Sequence, residues 1–230
     1  MPSFAVILPA AGSSSRFGTN KLLEPLSSKP VLWHSLRAFT RRDDVSHIVV
    51  PTNDYATLHD LLTTSAPTLL VDPRLNFCPG GTCRAESVMR GLTELPPDVE
   101  WVAIHDAARP LVSQQLIDAT LVTAVEQGAA VPALAVHLTI KQARGPLPAR
   151  VERTVPRNEL WAMQTPQIMR PAELLDAFEK CPLPLDQITD DVQLLELVGK
   201  PVYLVAGDER NIKITTPIDL KVAEMLMRGG

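Results

Sequence analysis

Residues 4–18 read FAVILPAAGSSSRFG and carry the strongest signal in the chain. The apolar run at residues 4–8 is typical of a buried β-strand. The small residues that follow predict a loop whose backbone N–H groups can approach an anion closely. Arg16 and Lys21 bring two positive charges to this loop. A strand that leads into a small, cationic loop suits a polyphosphate, so the segment indicates nucleotide chemistry.

The loop differs from the two common phosphate-binding fingerprints. A Walker loop ends in Gly-Lys-Ser/Thr, whereas this one continues as Gly18-Thr19-Asn20. The dinucleotide form needs a second glycine where Ser14 stands. A plain strand-to-helix turn is the alternative interpretation, but such a turn does not need Arg16 and Lys21.

Composition excludes several classes of protein. The 230 residues suffice for one α/β domain with a sizeable core, and we expect a single domain over residues 1–230. A formal net charge of −4 argues against a nucleic-acid partner. No apolar run approaches the roughly 20 residues of a membrane span, and no basic region precedes the first apolar stretch, so neither a membrane partner nor a signal peptide is expected. Cys78, Cys83 and Cys181 lack Cys-x-x-Cys spacing and predict reduced thiols in a cytoplasmic protein.

Strand and helix patterns alternate along the chain. We predict strands at residues 47–51, 68–71, 100–105 and 129–136, and helices at 31–40, at 84–95, after a cap at Asn53 and after a cap at Ser113. Further helices are predicted at residues 171–180, 190–198 and 217–227, the last capped by Thr216. The alternation indicates an α/β fold with a mostly parallel sheet, helices on both faces, and ligands at the carboxyl ends of the strands.

The pattern changes between residues 137 and 160. Two strand-like runs, at residues 137–141 and 151–155, flank the turn Arg144-Gly145-Pro146. A two-stranded ribbon with little apolar content is marginal in water, so this hairpin should pack on another surface. Another subunit is one candidate, and the hairpin's own domain is the alternative.

Three further segments carry candidate binding residues. Gly80-Gly81-Thr82 precedes a helix, which suits close backbone contact with a base or phosphate. Asp106 follows the strand at residues 100–105 and suits a magnesium ion or a ribose, although it could simply be a turn residue. Lys213 lies within the apolar run at 211–215, which we read as a strand, and is expected to point into a polar cleft; a solvated strand face is the alternative.

In combination, these segments resemble the 2-C-methyl-D-erythritol 4-phosphate cytidylyltransferases of the non-mevalonate isoprenoid pathway. The resemblance covers nearly the whole chain. Its markers are PAAG at 9–12 with Arg16 and Lys21, Gly80-Gly81, HDAARP at 105–110, RNELW at 157–161, QTPQ at 164–167, TDD at 189–191 and NIKIT at 211–215.

The resemblance implies a Rossmann-like nucleotidyltransferase fold with a projecting β-hairpin arm at about residues 137–157, and a homodimer formed through that arm. It also implies transfer of CMP from CTP to the phosphate of methylerythritol phosphate, with release of pyrophosphate and with a divalent cation, Mg²⁺, as cofactor. The acceptor phosphate is already an anion, so catalysis would consist of positioning and charge stabilisation.

The resemblance also assigns roles to residues. Those expected to stabilise charge or position the acceptor phosphate are Arg16, Lys21, Arg157 and Lys213. Those expected to hold the nucleotide are Pro9, Ala10, Ala11, Gly12, Ser13, Ser14, Gly80, Gly81 and Ser87, with the last three contacting cytosine and ribose. Those expected to hold the second substrate are Asp106, Arg109, Thr139, Thr165 and Thr189, with Asp106 also the expected metal ligand.

Two alternative functions remain open at this point. One is a related nucleotidyltransferase for ribitol 5-phosphate or molybdopterin, since the spacing of Lys21 from Arg16 is similar to that in the molybdenum-cofactor enzymes. The other is a non-catalytic nucleotide-binding regulatory domain, which would not need Arg16, Lys21, Asp106 and Lys213 together.

Overall fold

The computed structural model describes residues 1–12 and 17–229. Its strands are β1 (Phe4–Ile7), β2 (Pro25–Leu26), β3 (Lys29–Pro30), β4 (Val45–Thr52), β5 (Leu75–Pro79), β6 (Val102–Ile104), β7 (Ala129–Ala135), β8 (Ile140–Ala143), β9 (Val151–Val155), β10 (Trp161–Met163), β11 (Gln167–Met169) and β12 (Tyr203–Ala206). Its helices are α1 (Val31–Thr40), α2 (Tyr55–Ser65), α3 (Pro67–Leu70), α4 (Arg84–Thr93), α5 (Gln114–Gln127), α6 (Pro171–Lys180), α7 (Asp191–Leu197) and α8 (Pro217–Arg228).

The main sheet has eight strands and is mostly parallel. Strands β5, β4, β1 and β6 lie side by side and run in one direction. Strand β11 pairs antiparallel with both β6 and β7, β10 pairs antiparallel with β7, and β12 pairs parallel with β7. Ala130 pairs with Ile168 and with Tyr203, so β11 and β12 lie along opposite edges of β7. The predicted sheet class is therefore confirmed.

Strand β1 lies at the centre of the core because its side chains alternate between the two faces of the sheet. Phe4 and Val6 belong to one apolar cluster, which also takes residues from α1, α2, α5 and α8. Ala5 and Ile7 belong to a second cluster, shared with α4, α6 and α7. Helices thus cover both faces, as the alternating pattern predicted, and all four residues of β1 are fully buried.

The predicted hairpin is present as a separate sheet formed by β8 and β9. Ile140 pairs with Val155 in antiparallel register, and most residues of both strands are exposed. Leu138 and Leu147, at the base and tip of the hairpin, are also exposed. This arm (residues 137–157) thus adds little to the core, and its packing on a second subunit stays a prediction.

Three local predictions are wrong. Residues 68–71 form no strand; α3 begins at Pro67, whose fixed φ suits the first position of a helix, and the strand follows as β5. Asp54 occupies the N-cap position of α2 without a side-chain capping bond, and the Asn53 side chain donates a hydrogen bond to the Gly81 carbonyl at 3.2 Å. Residues 211–215 lie outside any strand, in the segment that leads to α8.

The contact between α4 and the sheet depends on the small size of Gly91. A Cβ atom at this position would lie 2.8 Å from Ile7 Cγ2 and 3.1 Å from Pro51 Cγ. Helix propensity alone favours alanine over glycine by about 1 kcal/mol. We expect Gly91→Ala to lower the free energy of unfolding instead, by about 1–3 kcal/mol, because the added methyl group overpacks a buried interface. Urea denaturation measures the change, and a stabilised variant would contradict this packing.

Candidate active site

A cleft of about 590 Å³ opens at the carboxyl ends of the parallel strands. Four segments line it: the loop after β1, the segment between β5 and α4, the loop after β6, and the segment before α8. The predicted site residues that line it are Pro9, Ala10, Ala11, Gly12, Lys21, Gly81, Ser87, Asp106 and Lys213. Four segments singled out in the sequence therefore meet at one edge of the sheet, where ligands bind in open α/β folds.

The remaining predicted residues that the structure describes, apart from Gly80, lie outside the wall of this cleft. Ser13, Ser14 and Arg16 are outside the described residues. Arg109 and Thr165 are buried behind the cleft, where both contact Asp106. Thr139 and Thr189 are exposed, and Arg157 is an exposed arm residue whose guanidinium donates to the His137 carbonyl.

Two backbone segments form one wall of the cleft and touch each other. A Cβ atom at Gly80 would lie 2.2 Å from Ala11 Cβ, so a side chain at this position would force the two segments apart. The Gly81 N–H donates to Ser87 Oγ at 2.9 Å, and that hydroxyl donates in turn to the Cys83 carbonyl at 2.9 Å. Ser87 therefore holds the turn before α4 in addition to lining the cleft.

Asp106 is the electrostatic centre of the cleft floor. Its Oδ1 lies 3.1 Å from Arg84 Nε, and its Oδ2 lies 2.9 Å from Lys213 Nζ and 3.4 Å from Arg109 Nε. Burial opposes ionisation of this carboxyl, but Arg84, Lys213 and Arg109 outweigh burial and hold its pKa well below the usual range. Asp106 is therefore a carboxylate at any pH near neutrality.

Arg84 links this carboxylate to a second acid that is fully buried. Its Nη2 lies 2.7 Å from Asp191 Oδ2, and Asp191 stands at the start of α7. Burial raises the pKa of Asp191, and the charge of Arg84 offsets part of that effect. Among the described residues Asp191 Oδ1 has no hydrogen-bond partner, so this carboxylate depends on Arg84 for its charge balance.

The cluster carries a net positive charge. Arg84, Arg109 and Lys213 face two carboxylates, and Lys21 lines the same cleft. Such an excess of cations beside exposed backbone is suited to an anionic ligand.

His105 and Thr165 fix the backbone of the Asp106 loop. Thr165 Oγ1 accepts from the Asp106 N–H at 3.1 Å and donates to His105 Nδ1 at 3.0 Å. His105 Nε2 then donates to the Arg109 carbonyl at 3.0 Å, which requires the neutral Nε2–H tautomer. Complete burial lowers the pKa of His105 to about 4, so the ring stays neutral and acts as a structural link rather than an acid or base.

Lys213 is positioned by backbone contacts of its segment. The Ile214 N–H donates to the Ala108 carbonyl at 2.8 Å, and the Asn211 carbonyl accepts from Arg109 Nη1 at 2.7 Å. The Thr215 N–H donates to Asp219 Oδ2 at 2.8 Å, which ties the segment to the first turn of α8. The prediction that Lys213 points into a polar cleft is confirmed, although it does so from a connecting segment.

Reasoning from the sequence missed Arg84, Asp191 and Asn53 as site residues. Arg84 is the first residue of α4, two positions after the Gly80-Gly81-Thr82 segment, and this place is a usable signal. Asp191 belongs to the Asp190-Asp191 pair, but its partner stands 107 positions earlier in the chain. Asn53 lines the cleft, yet its sequence context indicates a helix cap.

The cleft suits a divalent cation whose coordinating oxygens come mainly from a bound polyphosphate and not from the protein. Among the described residues no group of three or more His, Cys, Asp or Glu side chains could hold a metal ion. Within the described lining, Asp106 is the one carboxylate. Mg²⁺ commonly takes one or two carboxylates and completes its shell with phosphate oxygens and water, so this donor set fits a metal that arrives with a polyphosphate.

Comparison with known proteins identifies close relatives of the whole chain. Residues 4–229 match the family model described as 2-C-methyl-D-erythritol 4-phosphate cytidylyltransferase. A protein of that name from Gloeobacter violaceus is 39% identical over 228 residues, covering 97% of this chain and 95% of the relative. The chloroplastic protein of that name from Oryza sativa is also 39% identical over 228 residues, covering 98% of this chain and 74% of the relative.

A solved structure shows the same fold. The crystal structure of the cytidylyltransferase of that name from Francisella tularensis superposes with a TM-score of 0.82 at 29% identity. The match covers 97% of this chain and 99% of that one.

Loss of Arg84 should destabilise the fold in a pH-dependent way. Arg84→Met leaves Asp191 buried without its counter-charge, and we expect a loss of about 3–5 kcal/mol of unfolding free energy at pH 7. A buried, unpaired carboxyl has a folded-state pKa above its unfolded value. The folded variant then binds more protons than the unfolded chain. Its loss of unfolding free energy relative to wild type should therefore become smaller as the pH falls from 7 to 5.

Urea denaturation at the two pH values measures this effect. The double variant Arg84→Met/Asp191→Asn removes the uncompensated charge and should recover most of the stability at pH 7. An equal loss at both pH values, together with no recovery in the double variant, would contradict the proposed charge balance.

Proposed function

The chain belongs to the 2-C-methyl-D-erythritol 4-phosphate cytidylyltransferase family, and we propose that it transfers CMP from CTP to the phosphate of 2-C-methyl-D-erythritol 4-phosphate. The products are 4-diphosphocytidyl-2-C-methyl-D-erythritol and pyrophosphate. The observation that carries this proposal is the cationic cleft around Asp106 at the carboxyl ends of the parallel strands. It provides positive charge for phosphates beside a carboxylate suited to hydroxyl groups.

The reaction needs no nucleophile from the protein. An oxygen of the acceptor phosphate attacks the α-phosphorus of CTP, the bond from that phosphorus to the bridging oxygen breaks, and pyrophosphate leaves with the electron pair. Charge grows on the α-phosphate and on the leaving group, so cations held in place lower the barrier. Lys21 and Lys213, both in the cleft wall, suit this role, and Arg16 is proposed to join them.

The nucleotide would lie along the loop after β1. The Ala10 N–H already donates to the Pro51 carbonyl at 2.8 Å, so triphosphate contacts are assigned to the backbone that follows Ala10. Gly80, Gly81 and Ser87, in the adjoining segment of the same wall, would contact cytosine and ribose. The second substrate would contact Asp106 and Lys213 in the cleft, and Arg109 and Thr165 would act on it through Asp106. Thr139 and Thr189 are also assigned to this substrate.

A divalent cation, Mg²⁺, is proposed as the cofactor, held by Asp106 together with the phosphate oxygens of CTP. When bound, it would neutralise triphosphate charge. The protein's own contribution is to keep Asp106 ionised through Arg84, Arg109 and Lys213 and to hold its backbone through Thr165.

A homodimer formed through the arm is also proposed. The exposed Leu138, Leu147 and Val151 give the arm apolar surface that a second subunit would cover. Arg157, which does not line its own cleft, would then reach the acceptor phosphate of the neighbouring one.

We propose a cytoplasmic location. Within the described part of the chain no helix is both long and apolar enough to traverse a bilayer.

Pyrophosphate release tests the proposed activity directly. With CTP, Mg²⁺ and 2-C-methyl-D-erythritol 4-phosphate, we expect turnover that stops when EDTA removes the cation. Ribitol 5-phosphate as the acceptor serves as the control, and we expect little product from it. Turnover with ribitol 5-phosphate and none with methylerythritol phosphate would overturn the assignment.

Subunit exchange tests whether Arg157 acts across the dimer. Arg157→Ala and Lys213→Ala should each be nearly inactive, because each loses a cation that meets the acceptor phosphate. A mixture of the two should regain activity, since one site of each heterodimer combines an intact cleft with an intact Arg157 from its neighbour.

A second mixture provides the control for this experiment. Lys213→Ala mixed with Asp106→Ala damages both clefts of the heterodimer, so that mixture should stay inactive. Native mass spectrometry confirms exchange in each case. Exchange without recovery in the Arg157 mixture would mean that Arg157 and Lys213 act from the same chain.

A further inference from the structure

Glu86 and Arg90 lie one helical turn apart on α4 and together grip the glycine segment that forms one wall of the cleft. Glu86 Oε2 accepts from both the N–H and the Oγ1 of Thr82, each at 2.6 Å. Glu86 Oε1 accepts from Arg90 Nη2 at 2.6 Å. Arg90 Nη1 in turn donates to the Gly80 carbonyl at 2.7 Å. The four contacts close a ring around residues 80–82.

These contacts act on backbone that would otherwise be flexible. Two consecutive glycines lose more conformational entropy on ordering than other residues do. The segment also has to stay close to the loop after β1, because Gly80 packs directly against Ala11. Charge-assisted hydrogen bonds are stronger than neutral ones, and Glu86 and Arg90 supply four of them to this short stretch and to each other.

The ionisation of Glu86 is consistent with this role. Hydrogen bonds from the Thr82 hydroxyl and N–H, together with Arg90, lower the pKa of Glu86 to about 2. The carboxylate therefore stays charged throughout the neutral range, and the contacts do not depend on pH under ordinary assay conditions.

We propose that Glu86 and Arg90 form a latch that holds residues 80–82 in the geometry that binds the nucleotide, and that they thereby set the affinity for CTP. Both are positioning residues: neither lines the described cleft, and they act through Gly80, Gly81 and Thr82. The proposal rests on the proposed function, since it takes the nucleoside triphosphate as the ligand of this wall.

The latch predicts a specific kinetic pattern. Without it, the segment must be ordered when CTP binds, and that ordering reduces the affinity. We expect Glu86→Ala and Arg90→Ala each to raise the Kd for CTP by about tenfold, the size of one or two net hydrogen bonds. The kcat and the KM for the acceptor should stay within about twofold of wild type, because bound CTP restores the segment and the reacting groups are untouched.

Two further variants separate a latch from general helix stabilisation. The double variant Glu86→Ala/Arg90→Ala should weaken CTP binding no more than either single change, because the two side chains act as one unit. Arg90→Lys keeps the charge but loses the fork that reaches Glu86 and Gly80 at once, so it should fall between wild type and Arg90→Ala.

The chain offers a matched control on α6. Lys180 and Asp176 form the same kind of pair, four residues apart at 2.6 Å on an exposed helix surface. Asp176→Ala removes that pair without touching the cleft, and we expect CTP affinity to stay at the wild-type value.

The measurements are CTP titration by calorimetry with Mg²⁺ and no acceptor, steady-state kinetics, and hydrogen exchange of the peptide that spans residues 80–83. Faster exchange in Glu86→Ala with weaker CTP binding supports the latch, whereas wild-type affinity in that variant overturns it. If the intact protein binds CTP but transfers nothing to methylerythritol phosphate, the proposed function fails and the latch stands. If it binds no CTP, the proposed role of the latch fails even where exchange shows the segment to be held.

Discussion

The ion pairs of Asp106 hold together segments that are distant in the sequence. Arg84 comes from the start of α4 and Lys213 from the segment before α8, while Arg109 belongs to the same loop as Asp106. A buried carboxylate is costly unless it is paired and hydrogen-bonded, so the fold must bring these cations to it. The ion pairs that stabilise the Asp106 carboxylate therefore also bring positive charge to the cleft.

The second carboxylate explains why this positive charge can be kept without a ligand. Asp191 forms an ion pair with Arg84 on the side facing the core and offsets part of its charge. Lys213, in contrast, stays partly exposed at the cleft. Neutralisation is thus greater in the interior than at the surface that meets the ligand. A polyanion entering the cleft meets cations whose positions are already fixed, which reduces the reorganisation needed during phosphoryl transfer.

Much of this organisation could be predicted from the sequence because local patterns encode it. The buried run of β1, the Ser113 cap, the Thr216 cap and the hairpin are all present. Strands β10, β11 and β12 were missed. They have three or four residues each, and the residues of β10 are all exposed. The pairing of Arg84 with Asp191 depends on how α4 and α7 pack against each other, and no local pattern records that packing.

The two substrates depend on different parts of the architecture. The segments assigned to CTP follow β1 and β5, whose backbone hydrogen bonds continue into the loops through Ala10 and Gly80. The acceptor, in contrast, is assigned partly to Arg157 and Thr139 on an arm that has little core of its own. Nucleotide binding should therefore follow the stability of the domain, whereas acceptor binding should follow the association of subunits in the proposed homodimer. A single folded chain would then be competent to hold CTP before it is competent to use it.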